Sequence, residues 1–117
     1  MKVLITGGSG SLGNQVIKKF DYGDNEITCI TNNRRLGISN DRLTSLHKDE
    51  ILIKKRSPGK FDCIIHCATK YGRKSIGQEL IQECNVDLPT TLLELGALKE
   101  HGVFINSDTF FNTIITL

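Results

Sequence analysis

The amino-acid sequence predicts an α/β fold with a doubly wound parallel sheet of about five strands. One observation is a glycine-rich turn at residues 6–13, between an apolar strand-like run and a segment with helical spacing of apolar residues. The other is the alternation of strand-like and helix-like segments along the remaining chain. A strand, a tight turn and a helix in this order form the first unit of such a sheet.

The elements follow in order from the apolar patterns. The predicted strands are residues 2–5, 26–31, 51–53, 61–67 and 103–107, and the predicted helices are residues 14–20, 41–48 and 76–101. Pro89 removes a backbone N–H inside the long helix, so we expect a kink or break there. Gly102 is expected to end that helix.

The link between the third and fourth predicted strands is too short for the predicted order. Residues 56–61 reach at most roughly 20 Å when fully extended, which leaves no room for a crossover helix. Either the third strand is short or displaced, or this edge of the sheet is degenerate.

Composition indicates a globular protein rather than a nucleic-acid or membrane protein. The 117 residues suit one domain, with 38% hydrophobic and 24% charged residues. A net charge of +2 is too small and scattered to indicate nucleic-acid binding. We find no apolar run of about 20 residues and no signal-peptide pattern, and therefore expect a cytoplasmic protein.

The four cysteines are expected to be buried free thiols in a reducing compartment. They are Cys29, Cys63, Cys67 and Cys84. A metal site at Cys63, His66 and Cys67 is the alternative, but a strand would place His66 on the face opposite the two cysteines. Two converging ligands do not make a structural zinc site, so no metal is predicted.

The glycines at positions 7, 10 and 13 indicate a site for a dinucleotide pyrophosphate. Residues without a Cβ let the backbone turn sharply and let phosphate oxygens approach the N–H groups at the start of a helix. A phosphate-binding P-loop is excluded, because Asn14 and Gln15 stand where Lys and Ser/Thr are needed. The alternative is a glycine-rich turn that binds nothing.

Four separated motifs resemble the extended short-chain dehydrogenase/reductases, which include the NAD-dependent epimerases and dehydratases of nucleotide sugars. They are residues 6–13, Asp62-Cys63-Ile64-Ile65-His66-Cys67-Ala68-Thr69, Asn85-Val86, and Phe104-Ile105-Asn106-Ser107-Asp108. The phrases at residues 66–72 and 105–111 are most similar to the CDP-abequose synthase branch. That branch reduces a 4-keto-6-deoxyhexose on a nucleotide carrier, for bacterial O-antigen and other surface polysaccharide. The fold that this resemblance implies is Rossmann-like.

The resemblance implies a set of cofactor-binding residues. They are Gly7, Gly10, Ser11, Leu12, Gly13, Thr31, Asn32, Arg34, Arg35, Cys67, Ala68, Thr69, Lys70 and Asn85. The NAD-preferring pattern has an acidic residue at the end of the second strand, and this sequence has none. Arg34 and Arg35 favour a 2′-phosphate and therefore NADP(H) over NAD(H), unless they are ordinary loop charges.

The resemblance also implies catalytic and substrate residues. Ser107 matches the hydroxyl that hydrogen-bonds the substrate, and Asp108 matches an acid of the sugar dehydratases. The dehydratase glutamate is Thr109 here, which favours simple keto reduction. Tyr71 and Gly72 are expected near the sugar of a nucleotide-linked substrate.

The family's Tyr-x-x-x-Lys pair does not occur in these 117 residues, because Glu26 and Ser75 stand four residues after Tyr22 and Tyr71. The resemblance therefore identifies residues 1–117 as an incomplete N-terminal NAD(P)-binding domain, truncated before the C-terminal substrate domain. We expect such a chain to bind cofactor without turnover and to self-associate through uncovered surfaces. The alternatives are a non-catalytic dinucleotide-binding module and a fragment that binds nothing.

Overall fold

One mixed sheet organises the chain in a computed structural model, which describes residues 1–7, 11–21, 23–32, 43–67, 78–106 and 113–116. The strands of these residues are β1 (Lys2–Thr6), β2 (Glu26–Thr31), β3 (Leu43–His47), β4 (Phe61–His66), β5 (Leu98–Asn106) and β6 (Thr113–Thr116). Their order is β3-β2-β1-β4-β5-β6, with β6 antiparallel to β5 and the other neighbours parallel. The predicted α/β class with five parallel strands is confirmed.

The helices of the described residues are α1 (Ser11–Phe20), α2 (Lys48–Leu52), α3 (Gln78–Gln82) and α4 (Leu88–Glu94). A π-helical turn, Glu83–Asp87, joins α3 to α4. Pro89 lies in the first turn of α4, where its missing N–H costs least. The expected kink or break is replaced by a π-helical turn directly before α4, with helical backbone on both sides of it. None of the described helices is long and apolar enough to cross a membrane.

Alternation along the strands produces a separate core on each face of the sheet. On one face Ile17 of α1 packs against Val3, Ile5, Ile27, Cys29, Cys63 and Ile65. On the other face Ile51 of α2 and Leu88 and Leu92 of α4 pack against Leu4, Ile30, Phe61, Ile64 and Phe104. Helices on both faces bury the parallel strands on both sides, as this architecture requires.

The predicted helix at 41–48 and the predicted strand at 51–53 are both wrong. Leu43–His47 is a strand that pairs with β2, and Ile51 is fully buried within α2. The side chain of His47 accepts a hydrogen bond from the Asp49 N–H at 3.2 Å and caps α2. Pairing with β2 outweighed the helical spacing of two leucines, and the apolar run at 51–53 was too short to separate helix from strand.

This correction removes the difficulty of the short link. The third strand is displaced toward the N-terminus, so α2 and residues 53–60 together connect β3 at the edge to β4. The displaced strand was one of the two alternatives that the sequence left open.

The predicted end of the long helix is also wrong. The helix ends at Glu94, and Gly96 follows with a φ of 71°. The Ala97 N–H donates to the Leu92 carbonyl at 3.0 Å and the Gly96 N–H to Leu93 at 3.1 Å, which satisfies the last carbonyls. Gly102 instead lies inside β5. The sequence did not predict this, because the leucine spacing over 92–98 fits the end of a helix and the start of a strand equally well.

Candidate functional site

The carboxyl ends of the parallel strands meet at one edge of the sheet. Thr6, Thr31, His66 and Asn106 are the last residues of β1, β2, β4 and β5. The chain order reverses at β1, which has β2 on one side and β4 on the other. In open α/β sheets, ligands bind beyond the carboxyl ends of the strands at such a point.

Gly7 begins the glycine-rich turn at this edge. It has a φ of 73°, which favours glycine, and its N–H donates to the Ile30 carbonyl at 2.9 Å. The backbone leaving β1 is therefore tied to β2 before the turn.

The turn leads into α1, whose N-terminus begins at Ser11. Its first turn contains no acidic side chain, so its N–H groups are not offset by a neighbouring carboxylate of that turn. Gly13 is buried, whereas Leu12 is 48% exposed. Gly10 and the side chain of Ser11 lie outside the described part of the chain.

The end of β2 lies next to this turn. Thr31 is buried and Asn32 is exposed. Arg34 and Arg35 lie outside the described residues, so the preference for a 2′-phosphate stays a prediction.

The end of β4 is hydrogen-bonded to the end of β1. The Cys67 N–H donates to the Thr6 carbonyl at 3.2 Å and to Thr6 Oγ1 at 3.1 Å. Cys67 is half-buried, and burial raises the pKa of its thiol to about 11. Cys67 is therefore held beside Thr6, the last residue of β1. The other predicted residues of this loop, Ala68, Thr69, Lys70, Tyr71 and Gly72, lie outside the described residues.

His66 also lies at this edge, and the sequence predicted no binding or catalytic role for it. It is fully buried, and its Nδ1 lies 2.6 Å from Thr6 Oγ1. Burial lowers the pKa of His66 to about 4, although the hydrogen-bonding backbone of Cys84 acts in the opposite direction. The ring is neutral at pH 7. The sequence signal that could have identified His66 is that two apolar strands, β1 and β4, each end with a polar residue.

The remaining predicted residues are Asn85, Ser107 and Asp108. Asn85 lies half-buried in the π-helical turn between α3 and α4. Asn106 ends β5, directly before the two predicted catalytic residues. Ser107 and Asp108 themselves lie outside the described residues. Thus the described edge brings together Gly7, Gly13, Thr31, Asn32 and Cys67 at the ends of adjacent elements.

The cysteines have the predicted arrangement on the sheet. Cys63 and Cys67 contact the core on the α1 face, whereas His66 bonds to Thr6 and contacts Phe104 on the opposite face. All four cysteines are free thiols. The predicted separation of His66 from the two cysteines is therefore confirmed.

Two of the surface grooves formed by the described residues lie elsewhere. One, of about 370 Å³, is lined by residues of α2, the π-helical turn and α4. The other, of about 360 Å³, includes Lys2, Glu26 and Phe61, the first residues of three strands, and so lies at the amino ends. Neither includes a predicted site residue.

Comparison with known proteins gives a family match over nearly the whole chain. The model of the NAD dependent epimerase/dehydratase family matches residues 3–112. The CDP-abequose synthase of Salmonella typhimurium (strain LT2) is 30% identical over 114 residues, which is 93% of this chain. The chain spans 38% of the length of that relative.

Solved structures show the same fold. A UDP-galactose 4-epimerase superposes with a TM-score of 0.64 at 20% identity, over 80% of this chain and 33% of the other. MoeE5, solved in complex with UDP-glucose and NAD, superposes with a TM-score of 0.59 at 21% identity, over 81% and 32%. The predicted resemblance to nucleotide-sugar enzymes, and to the CDP-abequose synthases among them, is confirmed.

Proposed function

Because the chain belongs to the NAD dependent epimerase/dehydratase family, we propose that it binds a nicotinamide dinucleotide for an enzyme acting on a nucleotide-linked sugar. The observation that carries the proposal is the succession of β1, Gly7 with its positive φ, and α1 at the carboxyl edge, where the chain order reverses. The residues fit the cofactor: a positive φ at Gly7, a buried Gly13 and no carboxylate in the first turn of α1.

In this proposal the turn binds the pyrophosphate through main-chain N–H groups of residues 7–13. Thr31 and Asn32 lie toward the adenosine ribose, and Arg34 and Arg35 bind a 2′-phosphate, which makes NADP(H) the preferred cofactor. Cys67, Ala68, Thr69 and Lys70 lie along the nicotinamide side, with Asn85 nearby. The bound cofactor supplies the hydride of a redox reaction.

The proposed reaction is reduction of a 4-keto-6-deoxyhexose on a nucleotide carrier. The CDP-abequose synthase relative supports this choice, as does Thr109 at the position of the dehydratase glutamate. Ser107 hydrogen-bonds the sugar oxygen, Asp108 lies beside it, and Tyr71 and Gly72 contact the sugar. The reaction also requires a proton donor. In the family a Tyr-x-x-x-Lys pair provides the proton, and this pair does not occur in these 117 residues.

The direct test is titration with NADPH and NADH, followed by nicotinamide fluorescence. The chain contains no Trp, so protein emission does not obscure the signal. We expect saturable binding of both cofactors, with NADPH bound more tightly. A preference for NADH of about tenfold or more, equivalent to about 1.4 kcal/mol, contradicts the NADP(H) assignment. Binding of neither cofactor means that the chain is not a dinucleotide-binding domain.

A double variant tests the arginines. Arg34→Ala with Arg35→Ala should weaken NADPH binding about tenfold or more and leave NADH binding within about twofold, because only NADPH carries the 2′-phosphate. Arg56→Ala is the control, since Arg56 is an exposed arginine in the link before β4. An equal loss for both cofactors would assign the arginines to folding rather than to phosphate recognition.

A second candidate is a dinucleotide-binding module without catalysis; these 117 residues contain the glycine-rich motif but no Tyr-x-x-x-Lys pair. Supplying a nucleotide-linked 4-ketohexose and NADPH to this chain alone should give no turnover under either candidate. Clear turnover would show that another residue replaces the missing pair. A Tyr-x-x-x-Lys pair in the reading frame beyond residue 117 would decide for the enzyme.

We also propose that the chain self-associates. β3 lies at one edge of the sheet, Thr44 and Ser45 are exposed there, and no other strand of the described residues pairs with its outer side. Sedimentation at tens of micromolar, a rough working concentration, should show dimers or larger species. A single monomeric species would count against this proposal.

A further inference from the structure

The π-helical turn Glu83–Asp87 contains Asn85, which is half-buried. One of its defining hydrogen bonds runs from the Leu88 N–H to the Glu83 carbonyl, five residues back. Such turns are rare and occur frequently at functional sites. Because the α-helical register is the ordinary one, we expect contacts from outside the helix to stabilise this turn.

The Cys84 carbonyl of the turn faces a donor outside the helix. In an α-helix the Leu88 N–H would donate to it, but here that N–H donates to Glu83. In a continued π-helix residue 89 would be the donor, but Pro89 has no N–H. Burial lowers the pKa of His66, and the Cys84 backbone raises it, as a carbonyl that accepts from the ring does. Since His66 is the last residue of β4, the turn contacts the carboxyl end of that strand.

An ion pair joins the same turn to α2. Lys48, the first residue of α2, donates through Nζ to Oε1 of Glu83, the first residue of the turn. The side chain of Lys48 is only 17% exposed and that of Glu83 33%, so solvent screens this pair less than an exposed one. Glu83 therefore bonds to Lys48 through its side chain and to Leu88 through its carbonyl.

The position of Lys48 is fixed by the packing of α2. His47, the last residue of β3, caps α2 by accepting from the Asp49 N–H. Ile51 of α2 belongs to the same buried cluster as Leu88, the residue that follows the turn. The ion pair thus fixes Glu83 relative to a helix that both the sheet and α4 hold in place.

We propose that Lys48 is a positioning residue, whose ion pair with Glu83 holds the π-helical turn so that Asn85 faces the nicotinamide side of the cofactor site. Lys48 contacts no cofactor in this proposal and acts through Glu83 and Asn85. The direction of Asn85 toward a cofactor rests on the proposed function; the ion pair and the π-helical hydrogen bond do not.

The first test is NADPH affinity, measured where every variant is fully folded. Lys48→Met removes the charge and keeps most of the side-chain volume, so affinity should fall about 3- to 10-fold, whereas Lys48→Arg should stay within about twofold. Lys54→Met is the control, because it removes the same charge from an exposed pair with Glu50 just beyond the end of α2. Unchanged affinity in Lys48→Met, or equal losses in the two methionine variants, would contradict the proposal.

A double-mutant cycle tests whether Lys48 acts through Asn85. Asn85→Ala alone should weaken NADPH binding. In the Asn85→Ala chain, Lys48→Met should cause no further loss, because the group that Lys48 positions is gone. Losses that add, or an Asn85→Ala chain that binds like the parent, would overturn the proposed role.

Hydrogen exchange tests the turn without any cofactor. Lys48→Met should speed exchange of the Leu88 amide by about threefold or more, because its acceptor is the carbonyl of Glu83. The Leu95 amide, which donates to the Thr91 carbonyl at 2.9 Å, should keep its rate. An unchanged Leu88 rate, or equal acceleration of both amides, would show that Lys48 does not hold the turn. If the parent chain binds no dinucleotide, the proposed function fails, while the exchange of Leu88 still decides whether Lys48 holds the turn.

Discussion

The Lys2 N–H donates to Oδ2 of Asp62 at 2.8 Å, at the amino ends of two adjacent parallel strands. The other carboxylate oxygen lies 3.2 Å from Lys99 Nζ, on the strand beyond. One side chain thus joins β1, β4 and β5 at the edge opposite the candidate site. The same three strands end with Thr6, His66 and Asn106 at the candidate edge.

Asp62→Ala should lower the free energy of unfolding by about 1–2 kcal/mol, because one hydrogen bond is lost and the ion pair is partly screened by solvent. Asp62→Asn should cost less, since an amide oxygen still accepts from Lys2. Urea unfolding at pH 7 measures both changes, with Asp24→Asn in an exposed turn as control. Equal losses in the alanine and asparagine variants would contradict the hydrogen bond.

The contribution of Asp62 should also depend on pH. The Lys2 N–H and the Lys99 ammonium lower the pKa of this carboxyl in the folded chain. Its contribution is therefore present above the ordinary carboxyl pKa of 3.8 and is lost as the pH falls through the lowered value. The stability difference between the parent chain and Asp62→Asn should shrink when urea unfolding is repeated below that range. A constant difference would show that the charge contributes nothing.

His66 should make the fold sensitive to mild acid. Its pKa is about 4 in the folded chain, against an ordinary value of 6.5, so between these values only the unfolded chain binds the proton. Stability should therefore fall by up to about 3 kcal/mol as the pH drops from 6.5 to 4. His66→Gln should show a flatter pH profile, whereas the exposed His101→Gln should follow the parent. Parallel profiles for the parent and His66→Gln would refute the buried neutral ring.

Two glycines should respond differently to substitution. A Cβ on Gly102 would lie 2.8 Å from both Leu98 Cδ1 and the Lys99 carbonyl oxygen, so Gly102→Ala should cost about 1–3 kcal/mol and Gly102→Asn no less. Gly96 has a φ of 71° and no atom within 4 Å of a Cβ, so only the conformation is penalised. Thermal unfolding should rank Gly96→Asn above Gly96→Ala, because asparagine tolerates this φ. A Gly102→Ala chain as stable as the parent would contradict the close packing in β5.

Cysteine reactivity should follow burial. Cys29 is fully buried, and desolvation raises the pKa of its thiol to about 12. At pH 8 a thiol reagent should modify half-buried Cys67 first and Cys29 only upon unfolding, which mass spectrometry of the labelled peptides can follow. Early labelling of Cys29 would show that the core on the α1 face opens.

Local pattern was sufficient for much of the fold. The apolar runs of β1, β2 and β4 lie where the sequence predicted them, since each is bounded by polar or glycine-containing turns. Local pattern failed at 41–53 and 95–102, where short leucine-containing runs suit a helix or a strand and pairing with β2 or β4 decides.

The candidate site also has one part that local sequence pattern predicts and one part that it does not. The glycine-rich turn is a contiguous motif, and the sequence identifies it directly. The register partners Thr6, His66 and Asn106 are not contiguous, because they are 60 and 40 residues apart and meet only through the registers of three strands. No local pattern contains those registers.

The central claim is that a nicotinamide dinucleotide binds at the carboxyl edge of the sheet, and amide chemical-shift mapping with NADPH tests it most directly. We expect the largest shifts at Gly7, Leu12, Gly13, Asn32 and Cys67. Shifts centred on the groove between α2 and α4, or none at millimolar NADPH, a rough upper limit for a useful affinity, would contradict the account.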